Sequence, residues 1–579
     1  MEEHVSSKRV WFGHADVIGL GLSKRYMSMG IMAGEMRRNL LRRCDRCGHL
    51  TVLVLFLIAQ AIGIRAQPER PQAIMRGAFI INEDNSHFFG SRQAGEMTRE
   101  GLNAFVDQYA DSAVTHLFLC PNAMRANFRS STREAIWDLT GHETPPTKGN
   151  SRWPDNARLL CERGLDPYAI WIARSREKGI SPWLSMRMND VHGVDDEKNF
   201  MHASFWQTHP ELWRVPHEKG KRWPDRALNY ACPAVRAYNV AFVRELLERY
   251  DPDGLELDWM RFGYHLTPGK EREEGVLLTG FVREVRMLTR EWSVKRGHPI
   301  RLGVRVPTHP DAAAGLGMDG VAWAREGLVD LVVPCPFWTS SDFDIPVELW
   351  KERLGGQAAN VAVVPGLEFN ARPWPNGAPV ANDLPSVYGF AASARARGAD
   401  AVYLFNFMDS GTRPVSVSDY RTLIAKGVGD AYVATQERRF PVCYRDTVPG
   451  GFPRNEQLPV KGRKGGMFRI HIGVVPAERE QAYLVFGLAK NERDADDTWT
   501  VTFNSQTVFQ DTDLSSCAGL GGSAVRAIRF AVPGNRLQSG YNTVTVKQTD
   551  AGPEQTIVWA EIRLIPLRRF AEKDIEKPR

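Results

Sequence analysis

The chain has 579 residues, of which 43% are apolar and 25% charged, with a formal net charge of +6. That length exceeds a single compact core, so two domains are expected, and the composition excludes disordered and fibrous classes. Much of the positive excess falls in the first 65 residues, so the charge does not point to nucleic acid.

Residues 50–64 (LTVLVLFLIAQAIGI) form a 15-residue apolar run behind Arg37, Arg38, Arg42, Arg43 and Arg46, with small residues at Ala59, Ala61 and Ala66. The run is short for a bilayer span and reads as a cleaved secretory leader over residues 36–66, with an uncleaved anchor as the alternative. Residues 1–66 are therefore set apart as an N-terminal extension with Met36 as the expected start. The product is expected to be secreted or periplasmic and off the membrane after cleavage. Cys44 and Cys47 form a lone CxxC in the basic stretch, and the other six cysteines lack ligand spacing. They read as small buried hydrophobes, with one disulfide as the alternative.

Between residues 75 and 408 a short apolar run, a polar loop and an amphipathic helix recur. Strands are expected at residues 75–82, 114–120, 180–189, 254–262, 300–307, 329–336, 361–368 and 399–407, with helices between them, including 233–250 and 271–296. Eight alternating units imply parallel sheet, and eight strands close a (β/α)8 TIM barrel, placed at residues 72–427. An open doubly wound sheet is the alternative, but no GxGxxG or GxxxxGK(S/T) follows a strand. Two long insertions, 121–165 and 190–232, follow strands and should emerge on the face where barrels do chemistry. They carry Trp137, Trp153, Trp206, Trp213 and Trp223, while Trp338 and Trp374 follow the sixth and seventh strands. Indole faces stack on sugar rings; half of these tryptophans are expected to pin the loops instead.

Past residue 426 the pattern changes to short alternating runs at residues 468–474, 481–488, 498–503, 525–532, 541–548 and 556–564. These predict a C-terminal antiparallel β-sandwich, jelly-roll-like, at residues 440–569, expected to supply no catalytic residue. The acidic stretch 491–497 (NERDADD) reads as a solvated turn, with a calcium loop as the alternative.

The strongest signal lies at residues 253–262 (DGLELDWMRF). Strand alternation puts Glu256 and Asp258 on one face, and a carboxylate inside a sheet is costly unless it is paired or used. Keeping large apolar residues on the helix side places Ser185, Arg187 and Asn189, then Gly303, Arg305 and Pro307, then Gly366 and Glu368, in the barrel interior. The eighth strand, with Leu404, Phe405 and Phe407, is apolar on both faces and is not phased this way. Glu256 lies deeper than Asp258 and is expected to pair with Arg187 or Arg305, with a catalytic role as the alternative. Asp258 and Glu368, nearer the strand ends, are the expected reacting pair for glycosidic bond cleavage: one protonates the departing oxygen, the other attacks or activates water. Arginines would keep one carboxylate ionised, and an apolar wall such as Trp338 would raise the pKa of the other. Arg187, Asn189, His192, Arg261, Arg305, His309, Trp338, Asn370 and Trp374 are the expected substrate contacts. His87, Asn122, Asp190, Tyr264, Asn406 and Asp409 are expected as loop hydrogen-bonders. No HxH or HExxH spacing occurs, so neither a metal nor a cofactor is expected.

With these residues in place the chain resembles the barrel glycoside hydrolases of the large retaining superfamily that includes family 10 xylanases. It is more similar still to glycosyl-hydrolase-like proteins of secreted bacterial proteomes that carry a fourth-strand D-G-(I/L)-x-(L/F)-D-x-x-R element. The likeness spans the barrel and is most specific at residues 229–233 (NYACP), the helix up to Tyr250, and residues 253–262. It implies an acid/base at Asp258 and a nucleophile at Glu368. This chain has Leu257-Asp258 where the superfamily usually has Asn-Glu. The strand also looks like that of family 18 chitinases, whose acid is a glutamate where this chain has Met260. Residues 537–546 resemble a hairpin of accessory sandwiches on secreted carbohydrate enzymes. The combined expectation is a secreted glycoside hydrolase whose partner is carbohydrate. The alternative of another class is a non-catalytic carbohydrate-binding barrel. A lyase or esterase lacks its signature here, with no GxSxG evident.

Overall fold

The computed structural model describes residues 75–567 except 85, 145, 147–151, 216–218, 221, 338–339, 408–416, 476–479, 491–497, 515 and 550–551. The expected leader at residues 36–66, Trp338, Asp409 and the acidic stretch 491–497 lie outside the described residues. The described residues fall in one compact unit.

Eight parallel strands follow the expected runs: β1 (Phe79–Glu83), β2 (His116–Leu119), β3 (Ser181–Arg187), β4 (Gly254–Asp258), β5 (Arg301–Val306), β6 (Leu331–Pro334), β7 in two pieces (Ala362–Val363 and Gly366–Glu368) and β8 (Val402–Phe405). Neighbours in sequence pair with one another, the second piece of β7 pairs with β8, and β8 pairs with β1, so the ring closes. Pro365, between the two pieces of β7, has no N–H to give a ladder, which accounts for the break. The connecting helices carry ordinary start and stop signals. Helix Pro167–Glu177 has Pro in its first turn and Asp166 accepting from the Tyr168 and Ala169 N–H groups. Helix Glu271–Arg296 begins with Glu271, Glu273 and Glu274, ends with Lys295 and Arg296, and stops at Gly297 with φ 78°.

The barrel has two apolar layers. Leu184, Met186, Leu255, Leu257, Val402 and Leu404 face the helices, whereas Ile80, Phe118, Trp183, Leu331, Tyr403 and Phe405 form a separate inner cluster. This settles β8: Tyr403 and Phe405 point inward. Trp183 lies flat on Phe118, with ring centroids 4.7 Å apart and planes 6° apart, and closes the barrel floor. A Cβ on Gly254 would come within 2.4 Å of the Trp183 ring, so β4 starts with the one residue that admits it. Outside this plug, at the N-terminal end of the strands, is a cavity of about 580 Å³ bordered by His116, Trp183, Asp253 and Arg301.

The C-terminal region is two antiparallel sheets. One contains Arg438–Pro441, Thr556–Pro566, Glu480–Leu488, Arg526–Val532 and Gln510–Asp513; the other contains Gly466–His471, Tyr541–Gln548, Trp499–Phe503 and Gln506–Val508. Phe468, Val501 and Val544 of the second pack with Leu484, Phe486, Phe530 and Ile562 of the first in one core, which makes them a sandwich. The segment leading into it runs back along the barrel. There Arg445 Nε donates to Asp342 Oδ2 at 2.8 Å and to Thr308 Oγ1 at 2.9 Å, and Phe337 N–H donates to Asp446 Oδ2 at 2.9 Å.

Candidate active site

Strand register decides which interior groups meet. Ser185, Glu256 and Gly303 lie abreast on β3, β4 and β5, and one step up Arg187, Asp258 and Arg305 do the same. The expected ion pair of Glu256 with Arg187 or Arg305 is therefore not formed: a hydroxyl and a glycine flank Glu256, and both arginines flank Asp258. Glu256 Oε2 instead accepts from Ser185 Oγ at 2.5 Å and from Tyr403 OH at 2.9 Å, and Tyr403 OH accepts from Asn82 Nδ2 at 2.7 Å. Burial and then the charge of Asp258 push the Glu256 carboxyl up to about 8.

Asp258 receives three donors. Oδ1 accepts from the Met260 N–H at 3.0 Å and the Arg261 N–H at 2.9 Å, and Oδ2 accepts from Arg305 Nη1 at 2.8 Å. Arg305 is fully buried with its guanidinium 3.6 Å above the Phe405 ring, and Asp258 holds its pKa far above the usual value against the effect of burial.

Glu368, beside Phe405 in the register of β7 and β8, has the contrary environment. Oε1 accepts from its neighbour's N–H, Phe369, at 3.0 Å and from Asn406 Nδ2 at 3.4 Å, while Oε2 is buried with no partner among the described residues. Burial pushes the carboxyl up to about 8, against the pull of the Phe369 N–H, Arg261 and Arg305. The main chain here is clamped: the Glu368 carbonyl accepts from Ser341 Oγ at 2.6 Å and Asn382 Nδ2 at 2.7 Å.

Above these carboxyls sits a charged layer. Arg187 reaches Asp84 at 2.5 Å and Asp190 at 2.7 Å, Asp190 accepts from His192 Nδ1 at 2.6 Å, and Arg261 Nη2 contacts Asp84 at 3.3 Å and His192 Nε2 at 3.2 Å. Burial opposes the charge of Asp84, but Arg187 and Arg261 hold its carboxyl well below the usual range. Burial likewise lowers the His192 pKa despite Asp190. The ring is thus a neutral imidazole that donates from Nδ1 and accepts at Nε2. Side-chain exposure falls from 28% at His192 to 9% at Arg261 and 2% at Asp258, which orders them from mouth to interior. Asp84 escaped the sequence reading. Its one signal is the polar run Asn82-Glu83-Asp84 closing β1, at the strand end where barrels place reacting groups.

The other expected contacts lie elsewhere or serve structure. Asn189 fastens the 190–232 loop through the Leu228 carbonyl (2.9 Å) and N–H (3.0 Å). His309 caps a helix through the Asp311 N–H and packs against Phe452. Asn370 belongs to a two-residue ladder with Ala381. Trp374 packs against the sandwich core. Trp153, Trp206 and Trp213 are buried, and their indole N–H groups reach Asn127, the Arg226 carbonyl and the Trp206 carbonyl. Trp137 covers Arg129. Trp223 alone of the five loop tryptophans joins the aromatic group at the mouth. It stacks on Phe337 at 5.5 Å and meets Phe262, which itself carries the edge of His192 at 4.7 Å. Among the described residues no cluster of three or more His, Cys, Asp or Glu side chains is arranged to hold a metal.

No family model matches the chain, and no curated protein matches it. Solved structures that align with it include a GH36 alpha-galactosidase from Geobacillus stearothermophilus (14% identity, 83% of this chain and 57% of that one, TM-score 0.34). A cycloisomaltooligosaccharide glucanotransferase from Paenibacillus sp. aligns at 11% identity over 84% of this chain and 57% of its own, TM-score 0.32. Alpha-L-fucosidase isoenzyme 1 from Paenibacillus thiaminolyticus aligns at 11% identity over 82% of this chain and 97% of its own, TM-score 0.31. The chain spans a little over half the length of the first two. It is distantly similar in fold to glycoside hydrolases with a TIM-like barrel, and identities this low assign no residue a role.

Proposed function

We propose that this chain is a secreted glycoside hydrolase of poly- or oligosaccharides, with Glu368 as proton donor and Asp258 as the carboxylate that attacks or activates water. One contrast carries the reading: carboxyls at the ends of β4 and β7 occupy opposite environments. Glu368 is a buried acid pushed up to about 8, so it holds a proton to give near neutral pH, whereas Asp258 only accepts, from Arg305 and two N–H groups. A carboxyl kept protonated by burial, set against one met only by donors, divides acid from base. The roles are the reverse of those implied by the likeness to family 10 xylanases, which places the acid on the fourth strand. In this proposal the barrel (72–427) is catalytic, the sandwich region (440–569) supplies no catalytic residue but braces the barrel through Arg445, Trp223 is a sugar platform, and the leader (36–66) directs export.

Screening the wild type, Glu368→Gln and Asp258→Asn against a polysaccharide panel tests it. Wild type should hydrolyse at least one member, and each variant should lose roughly 10²–10⁴-fold, the size of a general acid–base contribution. Glu368→Gln should keep more activity on aryl glycosides, whose leaving groups need no proton. A second reading, a carbohydrate-binding barrel without turnover, is favoured by the near-complete burial of both carboxyls. Binding without hydrolysis by the wild type would establish it.

A further inference from the structure

Three arginines project into the barrel mouth, and two of them have a carboxylate of their own. Arg305 has Asp258 at 2.8 Å, and Arg187 has Asp190 at 2.7 Å and the nearer claim on Asp84 at 2.5 Å. Arg261 is left with long contacts from a single nitrogen, Nη2, to the already paired Asp84 (3.3 Å) and to the His192 ring (3.2 Å). Its Nε is shielded from solvent and has no hydrogen-bond partner among the described residues, yet 9% of the side chain remains exposed beneath His192. Asp84 cannot answer for it: Oδ2 is shared with Arg187, and Oδ1 accepts from Ser86 Oγ at 2.7 Å. A buried guanidinium with so poor a partner is costly in the free protein. Its planar fork matches a carboxylate or a sulfate, which would meet it with charge-assisted bonds.

We propose that the mouth takes an acidic sugar, bearing a uronate carboxylate or a sulfate ester, and that Arg261 pairs with that anion. The proposal rests on the reading of the mouth as a saccharide site and names its substrate class. His192, neutral and outermost, adds no competing charge. Trp223, backed by the buried Phe337, supplies the apolar surface for the ring that carries the anion.

The test is calorimetric titration of the full chain with glucuronate, galacturonate and N-acetylglucosamine 6-sulfate against glucose, galactose and N-acetylglucosamine at matched ionic strength. At least one acidic sugar should bind about tenfold or more tightly than its neutral counterpart, the scale of hydrogen bonds to charged groups. Arg261→Met should abolish that preference and Arg261→Lys should retain part of it. A preference confined to the uronates assigns a carboxylate, and one confined to the sulfated sugar assigns a sulfate ester. Equal binding of acidic and neutral sugars, no binding of any acidic sugar, or a preference that survives Arg261→Met overturns the proposal. Should Arg261→Met fail to fold, the wild-type comparison decides by itself. An Arg261-dependent preference in a protein that hydrolyses nothing would sink the hydrolase reading and leave this one standing.

Discussion

Arg305 Nη1 lies 2.8 Å from Asp258 Oδ2, with both side chains shut away from water. Register makes this pairing: β5 sets Arg305 abreast of Asp258, while Arg187, on the opposite flank, turns toward Asp84 and Asp190. Neither charge has another place to go.

Arg305→Met should therefore destabilise the protein by about 3–5 kcal/mol, the cost of leaving one member of a buried pair uncompensated. The double variant Arg305→Met/Asp258→Asn should recover part of that loss, because the stranded carboxylate is gone. Denaturant melts of the three proteins measure both quantities. Additive losses would mean that the two side chains do not depend on each other.

Glu368 makes stability fall with rising pH. Its carboxyl goes from 4.5 in the unfolded chain to about 8 in the fold, so between those values the folded state binds the extra proton. The stabilisation is complete below the unfolded value and declines as pH rises toward 8, by about 1.4 kcal/mol per pH unit for one such group. Glu368→Gln should flatten the pH profile of stability from 5 to 8 and also remove the alkaline limb of any hydrolytic activity. Melts across that window read the first effect and initial rates the second. An unchanged stability profile would show that Glu368 is ionised in the fold.

Alternation alone phased β3, β4, β5 and β7, because large apolar residues such as Leu184, Met186, Leu302 and Val304 mark the helix side. It fails on β8, where Leu404 and Phe405 are equally apolar, and only the inner packing separates Tyr403 and Phe405 from Leu404. Depth was also illegible. Register between strands far apart in sequence is set by the closed ring, so the same alternation that placed Glu256 inside left it opposite the wrong neighbours. Nor does a tryptophan's presence in a loop reveal whether its N–H meets a backbone carbonyl, as in Trp206, or whether its ring is left for a ligand.

Glu256→Gln should be nearly silent for stability at pH 4, within about 1 kcal/mol, since the carboxyl is then largely neutral in both states and, bonded to Ser185 and Tyr403, is replaced by a neutral amide of the same shape. At pH 7 the variant should be the more stable protein, by about 1.4 kcal/mol for each pH unit above the unfolded value of 4.5, because the unfolded wild-type chain sheds a proton that the folded carboxyl, pushed up to about 8, retains. Thermal melts at the two pH values decide the matter. A large loss at pH 7 would indicate an ionised Glu256.

The loop tryptophans should separate by function. Trp206, buried and stacked on Trp213 at 4.5 Å, should cost about 3–5 kcal/mol on truncation to Ala. Trp223→Ala should cost less stability but weaken saccharide binding by roughly 0.5–1.5 kcal/mol or more, as loss of a stacking face does. Parallel melting and binding measurements on both variants check this. Equal effects on binding would remove Trp223 from the site.

Removal of residues 440–579 should take stability and hydrolysis together, contrary to a sandwich that merely accompanies the barrel. Arg445 neutralises Asp342, whose carboxylate is otherwise buried after β6. The adjacent Ser341 donates to the Glu368 carbonyl at 2.6 Å and so fixes the main chain that presents the proposed acid. Arg445→Met should reproduce much of the deletion: a loss of about 3–5 kcal/mol from the uncompensated aspartate, and a lower kcat with little change in KM, because the proposed substrate contacts at His192 and Trp223 are untouched. Adding Asp342→Asn should return stability before activity, since the charge is then relieved while the loop stays loose. Full turnover of a small soluble glycoside by a folded deletion protein would show that the barrel holds Glu368 in place without help from the chain that follows it.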